Sequence, residues 1–153
     1  MKPTDYAPRA TAFDLHIQPG TTGVEVGCDV GAHAEAILKY RQPALLSIID
    51  TWDNPWCEGY CFGRLREYPN VKLYKGESHN LSGRFGELDF VYIDITHDAE
   101  TVLQSLNDWW ACLKSGGVMG YRNYSTCKET IDKWVKGKEF KVMDYYNEII
   151  IWK

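Results

Sequence analysis

No apolar run in this chain approaches the ~18 residues of a membrane span, and there is no block of like charges, internal repeat or low-complexity stretch. Its five cysteines, at 28, 57, 61, 112 and 127, form no C-x-x-C pair. Cys57 and Cys61 stand four apart, but no second pair completes a zinc site. They read as reduced thiols. The first residues lack the basic start and apolar core of a signal peptide, so a soluble protein of the cytoplasm is expected, with no membrane partner. Formal net charge is −4 and no concentrated basic face is visible, which argues against a nucleic-acid partner. The dinucleotide fingerprint G-x-G-x-x-G is also missing.

What is present is enough for one domain with a proper core: 153 residues, 44% hydrophobic and 25% charged. Aromatics reach 14%, which suits either an aromatic-lined pocket or a small core filled with large side chains. Residues 1–20, with Pro3, Pro8 and Pro19, read as an irregular lead-in carrying a short helix around 10–16. Residues 21–153 read as a single domain. Val24 and Val26 alternate with Glu25 as a strand does, and Ala32–Tyr40 reads as a helix. Leu45–Asp50 is a continuous apolar run closing on an acid, the pattern of a strand buried on both faces. Thr51–Phe62 is expected to be a loop, Tyr60–Tyr68 a helix, Val71–Tyr74 a strand, and Leu88–Asp94 the second strand to end on an acid. Ala99, Val102, Leu103, Leu106, Trp109, Trp110 and Leu113 form one helical stripe, stopped by Ser115-Gly116-Gly117. Val118–Tyr121 is a further strand, Ser125–Val135 a helix capped by Ser125, and Phe140–Met143 with Ile149–Trp152 a closing hairpin. Alternating strands and helices imply an α/β fold, Rossmann-like and doubly wound, with a mostly parallel seven-stranded sheet and a C-terminal antiparallel β-hairpin.

Ligands in such sheets bind beyond the carboxyl ends of the strands, where strand order reverses. Those ends carry Gly27–Gly31, Asp50, Gly76-Glu77-Ser78, Asp94 and Tyr121–Tyr124. The spacing Gly27-Cys28-Asp29-Val30-Gly31 is G-x-x-x-G, and a strand–turn–helix there gathers backbone N–H groups and the positive helix end at one spot. Asp50 can accept hydrogen bonds from both hydroxyls of a ribose, or can cap the neighbouring turn. Glu77 and Ser78 fall where an adenine edge would lie, or are merely exposed loop residues.

Together E-V-G-x-x-x-G, the I-I-D close of the second strand, G-E-S after the third, D-F-V-Y-I-D-x-x-H and L-K-S-G-G-V resemble class I S-adenosylmethionine-dependent methyltransferases. The nearest likeness is to the small subgroup with D-x-x-H after the fourth strand, and it spans roughly residues 20–152. The resemblance implies S-adenosylmethionine as cofactor. Glu25, Gly27, Cys28 and Gly31 would hold its methionine end, with Glu25 organising the turn or facing the ammonium. Asp50 would take the ribose diol with Thr51 beside it, and Trp52 would lie against the adenine or pack into the loop. Glu77 and Ser78 would border the adenine, and Asp94 would sit near the methionine moiety and the open acceptor side. His97, three residues past Asp94, is the candidate base for an acceptor that must lose a proton. Some relatives hold a divalent cation near this point, but Asn123 stands where their pattern has Asp, so no metal is expected. The reading is methyl transfer to a small-molecule acceptor. Trp52, Trp56, Tyr60, Tyr121 and Tyr124 are available for an aromatic wall, and dimerisation would be a way to complete the pocket. A non-catalytic cofactor-binding subunit and a nucleotide-linked oxidoreductase are the alternatives.

Overall fold

The computed structural model describes residues 7–95 and 98–153. Its strands are β1 (Thr22–Val26), β2 (Leu45–Asp50), β3 (Val71–Lys75), β4 (Leu88–Ile93), β5 (Leu113–Arg122), β6 (Glu139–Met143) and β7 (Glu148–Trp152). Its helices are α1 (Ala32–Arg41), α2 (Pro55–Leu65), the single turn α3 (Ser78–Leu81), α4 (Ala99–Cys112) and α5 (Lys128–Trp134). The strands form one sheet in the order β3-β2-β1-β4-β5-β7-β6. β7 pairs antiparallel with both β5 and β6, so it alone runs against the rest. The chain leaves β3 at one edge and re-enters as β4 beside β1, which puts the reversal of strand order between β1 and β4.

Period-two alternation sorts the side chains onto two faces. Val24, Val26, Val91, Ile93, Met119 and Ile149 pack with Val102, Leu106 and Trp109 of α4 and Ile131 of α5. Ile48, Phe90, Tyr92 and Ile150 pack on the opposite face with Ala34 and Ile37 of α1, Cys61 and Leu65 of α2, and Phe13. The sheet is therefore covered on both sides, which is why its central strands carry so few polar residues. Phe13 belongs to a 3₁₀ turn (Phe13–His16) that matches the short helix expected around 10–16.

Three local expectations are corrected. The stretch read as a loop over 51–62 is mostly α2, because Asn54 caps it by accepting a hydrogen bond from the Trp56 N–H (3.1 Å) and Pro55 occupies the first turn. α4 ends at Cys112, before the Ser115-Gly116-Gly117 stop. The glycine pair instead lies in the irregular start of β5, where the Gly116 N–H donates to the Lys153 carbonyl (2.7 Å). Ser125 does not cap the following helix. It sits in a 3₁₀ turn (Tyr124–Cys127) and its N–H donates to Asn147 Oδ1 (2.8 Å).

Gly120 of β5 leaves room for the N-terminal turn: a Cβ there would stand 2.6 Å from the Phe13 ring and from the Tyr92 ring. Gly120→Ala is expected to destabilise the fold by roughly 1–3 kcal/mol through overpacking, read as a lowered urea midpoint at unchanged m-value.

Candidate functional site

A cleft of about 840 Å³ opens above the carboxyl ends of β1, β2, β3 and β4. Its walls include Glu25, Gly27, Cys28, Asp50, Thr51, Trp52, Glu77, Ser78 and Asp94. Of the sequence-derived cofactor residues, Gly31 alone does not line it. His97 lies outside the described residues. The cleft also takes in Pro8 and Arg9 of the lead-in, anchored where the Arg9 N–H donates to the Ala32 carbonyl (2.9 Å).

The floor is the turn between β1 and α1. Gly27 has φ +80°, and a Cβ on it would run into the Asp94 carbonyl oxygen, so only glycine lets β1 and β4 close here. Gly31 has φ +79° and opens α1, with Cys61 packed against it. Asp50 holds the turn down: its Oδ2 accepts from the Cys28 N–H (2.8 Å) and the Asp29 N–H (3.0 Å). Its Oδ1 accepts from the Trp52 N–H (2.8 Å). The capping role weighed for Asp50 is thus realised, and of about four lone-pair positions on a carboxylate roughly one stays open to a ligand.

Trp52 is buried in the loop, with Nε1 donating to the Asp29 carbonyl (3.1 Å). The Cys28 and Cys61 sulfurs are 3.3 Å apart in the packing beneath, and all five cysteines are free thiols. Glu77 is exposed and Ser78 half-buried at the start of α3. Of the five aromatics offered for a wall, only Trp52 reaches the cleft. Trp56 stacks on Tyr60 with ring centroids 4.2 Å apart, while Tyr121 and Tyr124 are buried in the core beside α4 and α5.

Asp94 follows β4, half-buried, and both its oxygens are held. Arg122 Nη1 donates to Oδ2 (3.0 Å) and Asn123 Nδ2 to Oδ1 (3.3 Å). Arg122 faces the same cleft; it lies within the 121–124 segment expected at the strand ends, although the sequence suggests no particular role for it. Among the described residues no group of three or more His, Cys, Asp or Glu is gathered as metal ligands are.

Beneath the turn lies an unanticipated feature. Glu25 points to the α1 face, opposite Val24 and Val26, where it meets His33 of α1 and Asp14 of the N-terminal turn. His33 Nδ1 is 2.7 Å from Glu25 Oε1, and Nε2 is 2.7 Å from Asp14 Oδ1. All three side chains are buried. Two carboxylate contacts on one ring require both nitrogens to carry hydrogen, hence an imidazolium. Burial opposes that charge, but Glu25 and Asp14 outweigh it and lift the His33 pKa to about 10. Burial pushes the Glu25 carboxyl up, with His33 pulling it back down. Asp14 is further fixed because its Oδ2 accepts from the Thr11 N–H (3.1 Å). Glu25 Oε2, by contrast, has no partner among the described residues. A buried acceptor left unmade costs about 1–3 kcal/mol.

A histidine with a raised folded-state pKa adds stability that is complete below its ordinary value of 6.5 and lost as pH rises toward about 10. The urea stability of the native chain is therefore expected to fall across that interval, and that of His33→Gln to fall much less.

The sequence matches the family model of the methyltransferase domain over residues 22–124. No curated protein matches it. Among solved structures, a precorrin-6y C5,15-methyltransferase from Geobacter metallireducens superposes with TM-score 0.75 at 16% identity, covering 92% of this chain and 84% of that one. An rRNA methylase from Streptococcus thermophilus gives 0.69 at 13% identity, with coverage of 90% and 88%. A Haemonchus contortus phosphoethanolamine N-methyltransferase, bound to phosphoethanolamine and S-adenosylhomocysteine, gives 0.61 at 14% identity, with coverage of 69% and 22%. These likenesses show a shared fold, and the family match sets aside the oxidoreductase alternative. The chain belongs to the methyltransferase-domain family, as a class I S-adenosylmethionine-dependent methyltransferase.

Proposed function

We propose that this protein transfers the methyl group of S-adenosylmethionine to a small-molecule acceptor within the cleft above β1 and β4. The observation that carries this reading is Asp50. It accepts three backbone hydrogen bonds, two from the glycine turn and one from its own loop, and lines the cleft with roughly one lone-pair position to spare. The cleft volume suits a ligand of this size, since small-molecule sites run to ~300–1,000 Å³. Asp50 would take a ribose hydroxyl, Glu77 and Ser78 would border the adenine, and Glu25 would answer the ammonium of the amino-acid tail. Gly27, Cys28 and Gly31 would shape the turn beneath that tail, with Thr51 and Trp52 walling the far side. The cofactor when bound supplies an activated methyl group on a sulfonium, so the protein's task is chiefly to orient the acceptor.

Asp94, held by Arg122 and Asn123, would border the acceptor position without a divalent cation: the guanidinium already supplies the positive partner that a metal would bring. His97 belongs to the D-x-x-H pattern and would take the acceptor's proton. A small acceptor is favoured over nucleic acid by the charges around the cleft. Glu25, Asp29, Asp50, Asp53, Glu77 and Asp94 line it against Arg9 and Arg122, with His33 and His79. That balance does not neutralise a phosphate backbone. Five free thiols accord with a reducing compartment such as the cytoplasm.

Calorimetry is expected to detect S-adenosylhomocysteine binding to the native chain, and Asp50→Ala to weaken it about tenfold or more. NAD should give no thermal stabilisation. If S-adenosylhomocysteine binding is absent, or survives Asp50→Ala intact, the site is misassigned. Transfer of labelled methyl groups across a panel of small hydroxyl and amine acceptors and RNA transcripts distinguishes the acceptor classes. With an accepted substrate, His97→Ala should lower kcat about 10²-fold or more while cofactor affinity holds, and EDTA should leave the rate unchanged.

A further inference from the structure

The buried Asp14–His33–Glu25 cluster is not needed to close the turn, which Asp50 already does. It is also an expensive arrangement, with three ionisable groups removed from water on one face of the sheet. Its charges do not cancel. One imidazolium lies between two carboxylates, leaving a net negative charge under the floor of the cleft. Its hydrogen bonds do not close either. Both ring nitrogens donate, and Asp14 is engaged by His33 and by Thr11, yet Glu25 Oε2 receives nothing from the described residues. The one open valence is an anionic acceptor on a residue that lines the cleft. A cationic hydrogen-bond donor would complete both the charge and the bonding.

We propose that His33, held in place by Asp14, is a positioning residue that fixes the Glu25 carboxylate so that its open oxygen selects the ammonium of the cofactor's amino-acid tail. This rests on the S-adenosylmethionine reading given above. The ring also packs 4.4 Å from the Tyr92 ring, which restricts the orientation it can adopt. Because Asp14 belongs to the N-terminal turn, residues upstream of the first strand take part in cofactor selection although, among the described residues of that segment, only Ala7, Pro8 and Arg9 reach the cleft. The raised pKa of His33 accords with an imidazolium held between the two carboxylates.

The test compares S-adenosylhomocysteine with its desamino analogue, which has the same adenosyl and carboxylate ends but no amino group, by calorimetry on the full chain. The native protein should prefer the amino form about tenfold or more. Glu25→Gln, His33→Gln and Asp14→Asn should each reduce that preference to within about twofold, leaving affinity for the desamino analogue nearly unchanged. Equal loss of both ligands in His33→Gln and Asp14→Asn would mean a merely structural role and would overturn the proposal. So would retention of the native preference in those variants. If the native chain binds neither ligand, the methyltransferase-site reading itself fails. Binding without amino-group preference removes only the present inference.

Discussion

A single carboxylate holds the turn on which the cleft is built. Asp50 ends a strand that is otherwise apolar, and its two oxygens collect backbone N–H groups from both sides of the cleft floor: Cys28 and Asp29 of the turn after β1, and Trp52 of its own loop. A charged acceptor makes stronger bonds than a neutral one, and here it serves groups that would otherwise point unpaired into the opening. The turn, the Trp52 loop and the start of α1 are thereby fixed relative to β1. Gly27 supplies the other half of the constraint, since its missing Cβ lets the turn press against Asp94 at the neighbouring strand end.

Around that fixed floor the charges divide by depth. At the level of the opening Asp94 is met by Arg122 and Asn123, giving a neutralised pair. Below the turn, Glu25, His33 and Asp14 retain a net negative charge in a dry environment. Coulombic attraction is far stronger in such surroundings than at the surface, so the deeper cluster is the one suited to a cationic ligand group. The doubly wound sheet makes the division possible. Successive residues of β1 face opposite sides, so Glu25 reaches the α1 layer while Val24 and Val26 bury themselves against the α4 side.

Much of this was legible in the sequence because it rests on local pattern. The two acids closing apolar runs, the glycine spacing and the alternation of strands with helices gave the sheet, the hairpin and the position of the cleft. Errors arose where composition concealed a local signal. The Trp- and Gly-rich segment after Asp50 hid a helix whose Asn54-Pro55 start was a readable cap. The Gly116-Gly117 pair stood for a helix stop but serves an irregular strand start, a choice decided by pairing with Lys153 at the far end of the chain. The roles of His33, Asp14 and Arg122 were invisible for a different reason. Each acquires its role from a partner on another element, Glu25 for His33, His33 for Asp14 and Asp94 for Arg122, and no one-dimensional spacing encodes that meeting. The aromatic wall failed similarly, because burial of Tyr121 and Tyr124 depends on which face of the sheet α4 and α5 cover.

The central claim is that the clamped turn and Asp50 form the seat of the cofactor. The most direct measurement is a crystal structure of the native chain with S-adenosylhomocysteine bound. It should show a ribose hydroxyl on the remaining acceptor position of Asp50 and the amino-acid tail over Gly27 beside Glu25. Density for the ligand elsewhere on the molecule, or a ribose turned away from Asp50, would contradict the account.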